Sequence, residues 1–299
     1  MRDRVKIIVN PVSGKGKALR LAEAVAGVLK GRGCSVDLQQ TRKSGDAKLL
    51  AADASGFAAV AATGGDGTVN EVLNGLPLEA GPALAMIPSG TANVLAKELK
   101  LSRDPDQLAL VLGEGTAAPW DLGVERVGGR RFLLFASAGF DAHVVHIFHA
   151  ARTGPIRMWQ YLWWGLKSIL AYDAPRIAVE LDGNPVAGDA AWVLVSQVSC
   201  YGGPLVLTPG AKPGRGTFEV MIQRGRGRWN LVRLFWSALL GWLIGWKPRP
   251  GDVTFHAAKR VKLGSADGRE VPVQVDGDPG GRLPVDLELV PGAIKVVGP

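Results

Sequence analysis

Cysteine is nearly absent from this chain of 299 residues: Cys34 and Cys200 are the only two, and they lie far apart in sequence. That excludes a disulfide framework or a site built from several thiolates, so both are expected to pack as small apolar side chains. Internal repeats, low-complexity tracts and long linkers are missing. So is an apolar run of membrane-spanning length. Leu231 to Trp246 comes nearest, but it falls short of the roughly 20 residues a span needs and is interrupted by Arg233, Gly241 and Gly245. A true span is the least favoured of three readings, and a buried core helix and a lipid-facing or interfacial helix stand level ahead of it. The start, Met1-Arg2-Asp3-Arg4 followed by Val5 to Val9, has no apolar core long enough for a signal peptide, and a cytoplasmic protein is expected. No Lys/Arg cluster is interleaved with a nucleic-acid-binding motif, so no nucleic-acid partner is expected.

Glycine is plentiful, with 40 residues, and several fall where the chain changes direction. Val60-Ala61-Ala62-Thr63-Gly64-Gly65-Asp66-Gly67-Thr68-Val69-Asn70-Glu71 runs an apolar strand into a glycine-rich turn and then into a helix start. Such a junction suits an anion, because glycines let backbone N–H groups come close and the helix N-terminus adds donors and a favourable dipole. Gly65 is expected to need positive φ or a close backbone approach, and Asp66 sits where a carboxylate could reach a phosphate-bound Mg2+. Asn10-Pro11-Val12-Ser13-Gly14-Lys15-Gly16-Lys17 follows the strand Val5 to Val9 in the same way. It precedes a helix with apolar positions Ala18, Leu21, Ala22, Val25, Val28 and Leu29. This loop lacks the Gly-Lys-Ser/Thr ending of a Walker A motif, so the backbone rather than Lys15 or Lys17 takes the phosphate role. Pro88-Ser89-Gly90-Thr91-Ala92-Asn93-Val94-Leu95-Ala96 repeats the plan after Ala83 to Ile87. Three such junctions point to a ligand held at the carboxyl edge of a parallel sheet.

Length and texture divide the chain into two domains. Residues 1–116 alternate strands and helices, the last helix being predicted over Pro105 to Leu112. Residues 117–299 read as strands at Asp121 to Arg126, Arg131 to Ser137, Arg176 to Asp182, Ala190 to Val198 and Thr217 to Gln223. The expected fold class is α/β: a Rossmann-like nucleotide-binding domain followed by a β-sandwich-like domain with helical insertions. A net charge of +8 favours anionic partners.

Together these segments resemble the diacylglycerol kinase catalytic family of lipid kinases, which includes the sphingoid-base kinases. Asn10 to Ala18, Gly64 to Leu76 and Pro88 to Leu99 look like its three nucleotide motifs, and Asp276-Gly277-Asp278-Pro279 looks like its Asp-Gly-Glu-Pro element. The resemblance implies ATP and Mg2+ as cofactors, an amphipathic lipid such as diacylglycerol or a sphingoid base as acceptor, and an active site in the cleft between the domains. It implies that Asn10, Thr41, Gly64, Gly65, Asp66, Gly67, Thr68, Val69, Asn70, Gly90, Thr91 and Asn93 contact the nucleotide. It further implies that Asp66 and Asp121 join a metal and water network around the phosphates, and that Asp276 or Asp278 accepts the hydroxyl proton. Asp278 is one methylene shorter than the family's Glu. Val94 stands where many bacterial members have an Asp. Arg215 stands where close bacterial relatives have an Asp that ligates a structural Mg2+, and an arginine cannot ligate a cation, so that ion is expected to be missing.

Two Trp-rich, cation-flanked segments, Arg157 to Lys167 and Arg228 to Arg249, have the composition of bilayer-interface anchors, and peripheral association with the inner membrane surface is expected. His143, His146 and His149 recur every three residues on a predicted helix. No cysteine or carboxylate completes a zinc pattern around them, so they are expected to be polar face or pocket residues. Two alternatives stand beside the lipid kinase. One is a kinase of a soluble hydroxyl compound, NAD included, since Gly-Gly-Asp-Gly-Thr is shared with NAD kinases. The other is a catalytically weak lipid- or nucleotide-binding relative, for which Val94 and Arg215 are the hints.

Overall fold

The computed structural model describes residues 1–79, 81–150, 168–169, 172–202, 205–225, 227–244 and 251–299. The first Trp-rich segment, 157–167, and the cationic end of the second, 246–249, lie outside them. The chain divides into two compact units, residues 1–122 with 292–299 and residues 123–291. This differs from the expected 1–116 and 117–299. The closing residues return to the first unit, where Val296 pairs with Leu84 and Val297 is buried in the core.

The first unit contains β1 (Arg4–Val9), α1 (Ala18–Gly31), β2 (Ser35–Gln40), α2 (Asp46–Ala52), β3 (Ala59–Gly64), α3 (Asp66–Gly75), β4 (Ala83–Pro88), α4 (Val94–Glu98) and α5 (Pro105–Glu114). Its strands are parallel in the order β2-β1-β3-β4. β3 and β4 are buried at every position and β1 at all but Arg4, as expected for parallel strands covered on both faces, and their near-continuous apolar sequences follow from that. Lys6 is the exception. It is fully buried in β1, and its Nζ donates to the Asp53 carbonyl at 2.5 Å, with the Asp37 carboxylate 3.9 Å away. α1 turns Ala18, Ala22, Val25, Ala26 and Leu29 into the core, a helical spacing. α5 starts at Pro105 behind the Asp104 cap, whose carboxylate accepts the Gln107 N–H at 3.0 Å.

β5 (Thr116–Glu125) leads out of the first unit. The second unit continues with β6 (Arg131–Phe132), β7 (Phe135–Ala138), α6 (Phe140–Ala150), β8 (Ile177–Leu181), β9 (Asn184–Ala190), β10 (Trp192–Ser196), β11 (Cys200–Tyr201), β12 (Leu205–Val206), β13 (Phe218–Gln223), α7 (Arg228–Ile244), β14 (Val253–Ala258), β15 (Arg260–Ser265), β16 (Pro272–Val275) and β17 (Asp278–Arg282), and β18 (Val285–Gly298) carries the chain back. One antiparallel sheet runs β14-β13-β10-β7-β16-β17. A second joins β9, β8, β15 and the start of β18, also antiparallel. Apolar residues of both sheets, among them Val193, Val195, Phe218, Val220, Val261, Leu263, Val273 and Leu287, form one buried cluster, which makes the unit a β-sandwich.

α7 resolves the ambiguity of its sequence. Leu231, Leu234 and Ala238 are buried, Phe235 packs its ring on Phe140 and Trp192, and the opposite face exposes Trp229 and Trp236. Among the described residues no helix is long and apolar enough to cross a membrane.

Candidate functional site

In the first unit the carboxyl ends of β1, β3 and β4 lie side by side, because Val9 is opposite Thr63 and Thr63 is opposite Ile87. β2 lies on one side of β1 and β3 on the other. The connections diverge at that edge, the switch point where parallel α/β sheets leave a crevice for a ligand. The three loops expected to bind phosphate are fastened together there. The Asn10 N–H donates to the Thr63 carbonyl at 2.9 Å, and the Ser89 and Gly90 N–H groups donate to the Gly64 carbonyl at 3.0 and 3.1 Å. Ser89 Oγ donates to Ser13 Oγ at 3.1 Å. Thr41, buried at the end of β2, donates its N–H to the Val9 carbonyl at 2.9 Å.

The glycine requirement falls on a different residue from the one expected. Gly65 has φ −94° and ψ −174°, ordinary extended backbone, and a Cβ on it would lie 3.4 Å from Gly90 Cα. A Cβ on Gly90 would lie 2.4 Å from Gly65 Cα and 2.8 Å from Asn93 Oδ1. The two backbones do approach closely, but the space between them is closed from the Gly90 side.

Asp66 and Gly67 open α3, where the helix dipole favours an anion. Asp66 Oδ1 accepts the Leu95 N–H at 3.3 Å, which ties the starts of α3 and α4 together. Thr68, Val69 and Asn70 are buried, and Asn74 Nδ2 donates to the Asn70 carbonyl and Oδ1 at 2.9 and 3.2 Å. Thr91 is exposed. Asn93 is buried with φ 48°, and its Nδ2 donates to the Gly90 carbonyl at 2.9 Å. Two buried oxygens at this edge, Thr63 Oγ1 and Asn93 Oδ1, have no hydrogen-bond partner among the described residues. Leaving such an atom unsatisfied costs about 1–3 kcal/mol, so a ligand or water belongs beside them. Asp121, midway along the long strand β5, is buried and accepts the Gly292 N–H at 3.0 Å. Among the described residues no three His, Cys, Asp or Glu side chains gather as a metal site. A cation here would have to take ligands from phosphate and water as well as from protein carboxylate.

In the second unit Val275 is opposite Asp278, with Asp276 and Gly277 forming the turn between them at φ 50° and 86°. Positive φ at both positions is the type I′ hairpin geometry that favours Asp-Gly. The Asp276 carboxylate is buried and accepts three backbone N–H groups, from Leu133, Leu134 and Phe135, at 2.9 to 3.0 Å. Asp278 opens β17 with its side chain 38% exposed, and His149 Nε2 donates to its Oδ1 at 3.3 Å. The two candidate bases are therefore distinct in kind: one carboxylate is built into the backbone, the other is accessible.

The three histidines of α6 go to three different partners. His149 meets Asp278, His146 Nε2 donates to the Val273 carbonyl at 2.8 Å, and His143 lies against the Tyr172 ring. Burial, then the neighbouring His146, holds His143 below the ordinary imidazole range. The sequence reading missed a carboxylate one turn away. Asp141 is fully enclosed and accepts from Ser137 Oγ at 2.6 Å, Tyr201 Oη at 2.7 Å, the Ala142 N–H at 2.7 Å and Gln274 Nε2 at 3.3 Å. Burial pushes this carboxyl above its usual range against those hydrogen bonds. Its only sequence signal was an Asp in the apolar first turn of a helix. Arg215, expected to displace a structural ion, donates from Nη1 to the Gly210 carbonyl at 2.6 Å.

Fold and loops together define a two-unit protein, an α/β unit with glycine-rich loops gathered at one sheet edge and a β-sandwich. Residues 4–124 match the diacylglycerol kinase catalytic domain, and residues 135–298 match the YegS C-terminal NAD kinase beta sandwich-like domain. The chain belongs to the diacylglycerol kinase catalytic family. It is 29% identical over 300 residues to a diacylglycerol kinase of Bacillus subtilis (strain 168), covering 99% of this chain and 96% of that one. It is 29% identical to a diacylglycerol kinase of Staphylococcus aureus (strain MRSA252), covering 100% and 93%. A solved structure of a diacylglycerol kinase from Bacillus anthracis str. Sterne superposes with a TM-score of 0.76 at 22% identity, over 100% of this chain and 97% of the other.

Proposed function

We propose that the chain is an ATP-dependent lipid kinase that transfers the γ-phosphate to a hydroxyl of an amphipathic lipid such as diacylglycerol or a sphingoid base, working from the cytoplasm at the inner membrane surface. The observation that carries this reading is the fastened trio of loops at the β1/β3 switch point, with the Gly65 and Gly90 backbones in contact and two buried oxygens awaiting partners. These features fit a nucleotide. Asn10, Thr41, Gly64 to Asn70, Gly90, Thr91 and Asn93 would hold it, with Asp66 and Asp121 facing the Mg2+ and water around its phosphates. When bound, Mg-ATP supplies the phosphoryl group and the cation that neutralises its charge.

The chain's own residues do the rest. The α3 start and the glycine loops fix the phosphates through backbone donors. Asp278, accessible and oriented by His149, accepts the proton of the lipid hydroxyl, while Asp276 holds the hairpin that presents it. Proton acceptance of this kind is worth about 10² to 10⁴ in rate. A kinase of a soluble acceptor is the second reading, favoured by the NAD kinase-like description of the domain matching residues 135–298. The exposed Trp229 and Trp236 support the lipid reading instead. The test is transfer of labelled γ-phosphate into the organic phase, with its loss in Asp278→Asn. Label confined to the aqueous phase would favour the second reading.

A further inference from the structure

We propose that the outward face of α7 is the bilayer-docking element of this protein, with Trp229 and Trp236 seated among the headgroups of an anionic membrane. The idea deepens the lipid-kinase reading and rests on it for its purpose, because a soluble acceptor would give the protein no need of a bilayer. Trp229 and Trp236 are seven residues apart, so at 100° per residue they share one side of the helix, separated by about 10 Å along its axis. They are 76% and 58% exposed, although large apolar rings usually find cover. The opposite side is already used, since Leu231, Leu234 and Ala238 are buried and Phe235 packs on Phe140 and Trp192. The helix is thus anchored to the sandwich by one face and presents two indoles on the other.

Charge selects the occupant. α7 carries Arg228 and Arg233 and contains no Asp or Glu. In sequence Arg224 and Arg226 precede it. The acids that face this end are Asp252, paired with Arg233, and Asp189, 3.9 Å from Arg224. Among the described residues three arginines against two carboxylates leave this end of the helix cationic. Two copies of a cationic face repel each other, whereas an anionic headgroup layer attracts it, and indoles with one polar edge prefer that layer.

The experiment is co-sedimentation of the full chain with vesicles of phosphatidylcholine alone and of phosphatidylcholine mixed with phosphatidylglycerol. Wild type, Trp229→Ala/Trp236→Ala and Trp229→Phe/Trp236→Phe are compared, with phosphorylation of a short-chain, water-dispersed diacylglycerol measured in parallel. Wild type should prefer the anionic vesicles, and salt should weaken that preference by screening. The alanine pair should lose binding by about tenfold or more, since two rings leave the bilayer. The phenylalanine pair should keep most of it, and all three proteins should share one melting temperature and one rate on the short-chain lipid. Equal vesicle binding by wild type and the alanine pair overturns the proposal, as does a dimeric wild type that the alanine pair converts to monomer. Vesicle binding that depends on the Trp pair, together with no phosphorylation of any lipid, supports the docking face and removes the lipid-kinase reading.

Discussion

Two carboxylates two residues apart do different work because the backbone treats them differently. Asp276 faces three N–H donors in a buried turn, and hydrogen bonds to a charged group contribute about 1.5–3 kcal/mol each. Asp276→Ala should lower stability by at least about 3 kcal/mol, visible as an early denaturant midpoint. Asp278→Asn should leave the midpoint in place and lower kcat about 10² to 10⁴-fold. If Asp278→Asn retained full kcat, the proton acceptor would have to be sought elsewhere. Asp141 offers a test of a different kind. Its carboxyl is raised by burial, so the folded state holds the proton more tightly than the unfolded chain does. The ionised form therefore costs stability: the cost is absent below the unfolded pKa of about 4, grows as pH rises, and is complete above the folded value. Thermal melts from acid to neutral pH should show this loss in wild type and not in Asp141→Asn. The same slope in both proteins would contradict it.

At the scale of elements, the loops matter more than the helices they introduce. Gly65 and Gly90 belong to two loops that touch, so a side chain has room on the first and not on the second. Gly90→Ala should abolish nucleotide binding, because its Cβ would sit 2.4 Å from Gly65 Cα. Gly65→Ala, with 3.4 Å available, should weaken binding far less. Calorimetric titration with Mg-ATP distinguishes them, and equal behaviour of the two variants would mean that this contact does not organise the site. The loops were legible in sequence because glycines and hydroxyls follow apolar strands at β1, β3 and β4. Which glycine is indispensable was not, since that depends on a partner 25 residues away. The Asp276-Gly277 turn was legible for the same local reason. The donors that occupy Asp276 come from residues 133–135 and carry no mark in the sequence around it. α7 shows the limit of composition. Its apolar run reads equally as core or interface, and the packing of Leu231, Leu234 and Phe235 puts one side in the core while Trp229 and Trp236 stay exposed on the other.

Across the whole molecule, the chain falls into residues 1–122 with 292–299 and residues 123–291, where texture divides it after residue 116 and leaves the closing residues in the second part. A strand-rich tail could not reveal this, because Val296 and Val297 look like any closing strand until Leu84 is found opposite. The central claim is that the phosphate goes to a lipid hydroxyl. It is tested most directly by incubating the full chain with Mg2+ and γ-labelled ATP, with diacylglycerol or a sphingoid base in mixed micelles and, separately, with NAD, and then extracting into organic solvent. The account predicts label in the organic phase, lost in Asp278→Asn, and none on NAD. Label on NAD with an unlabelled organic phase would contradict it.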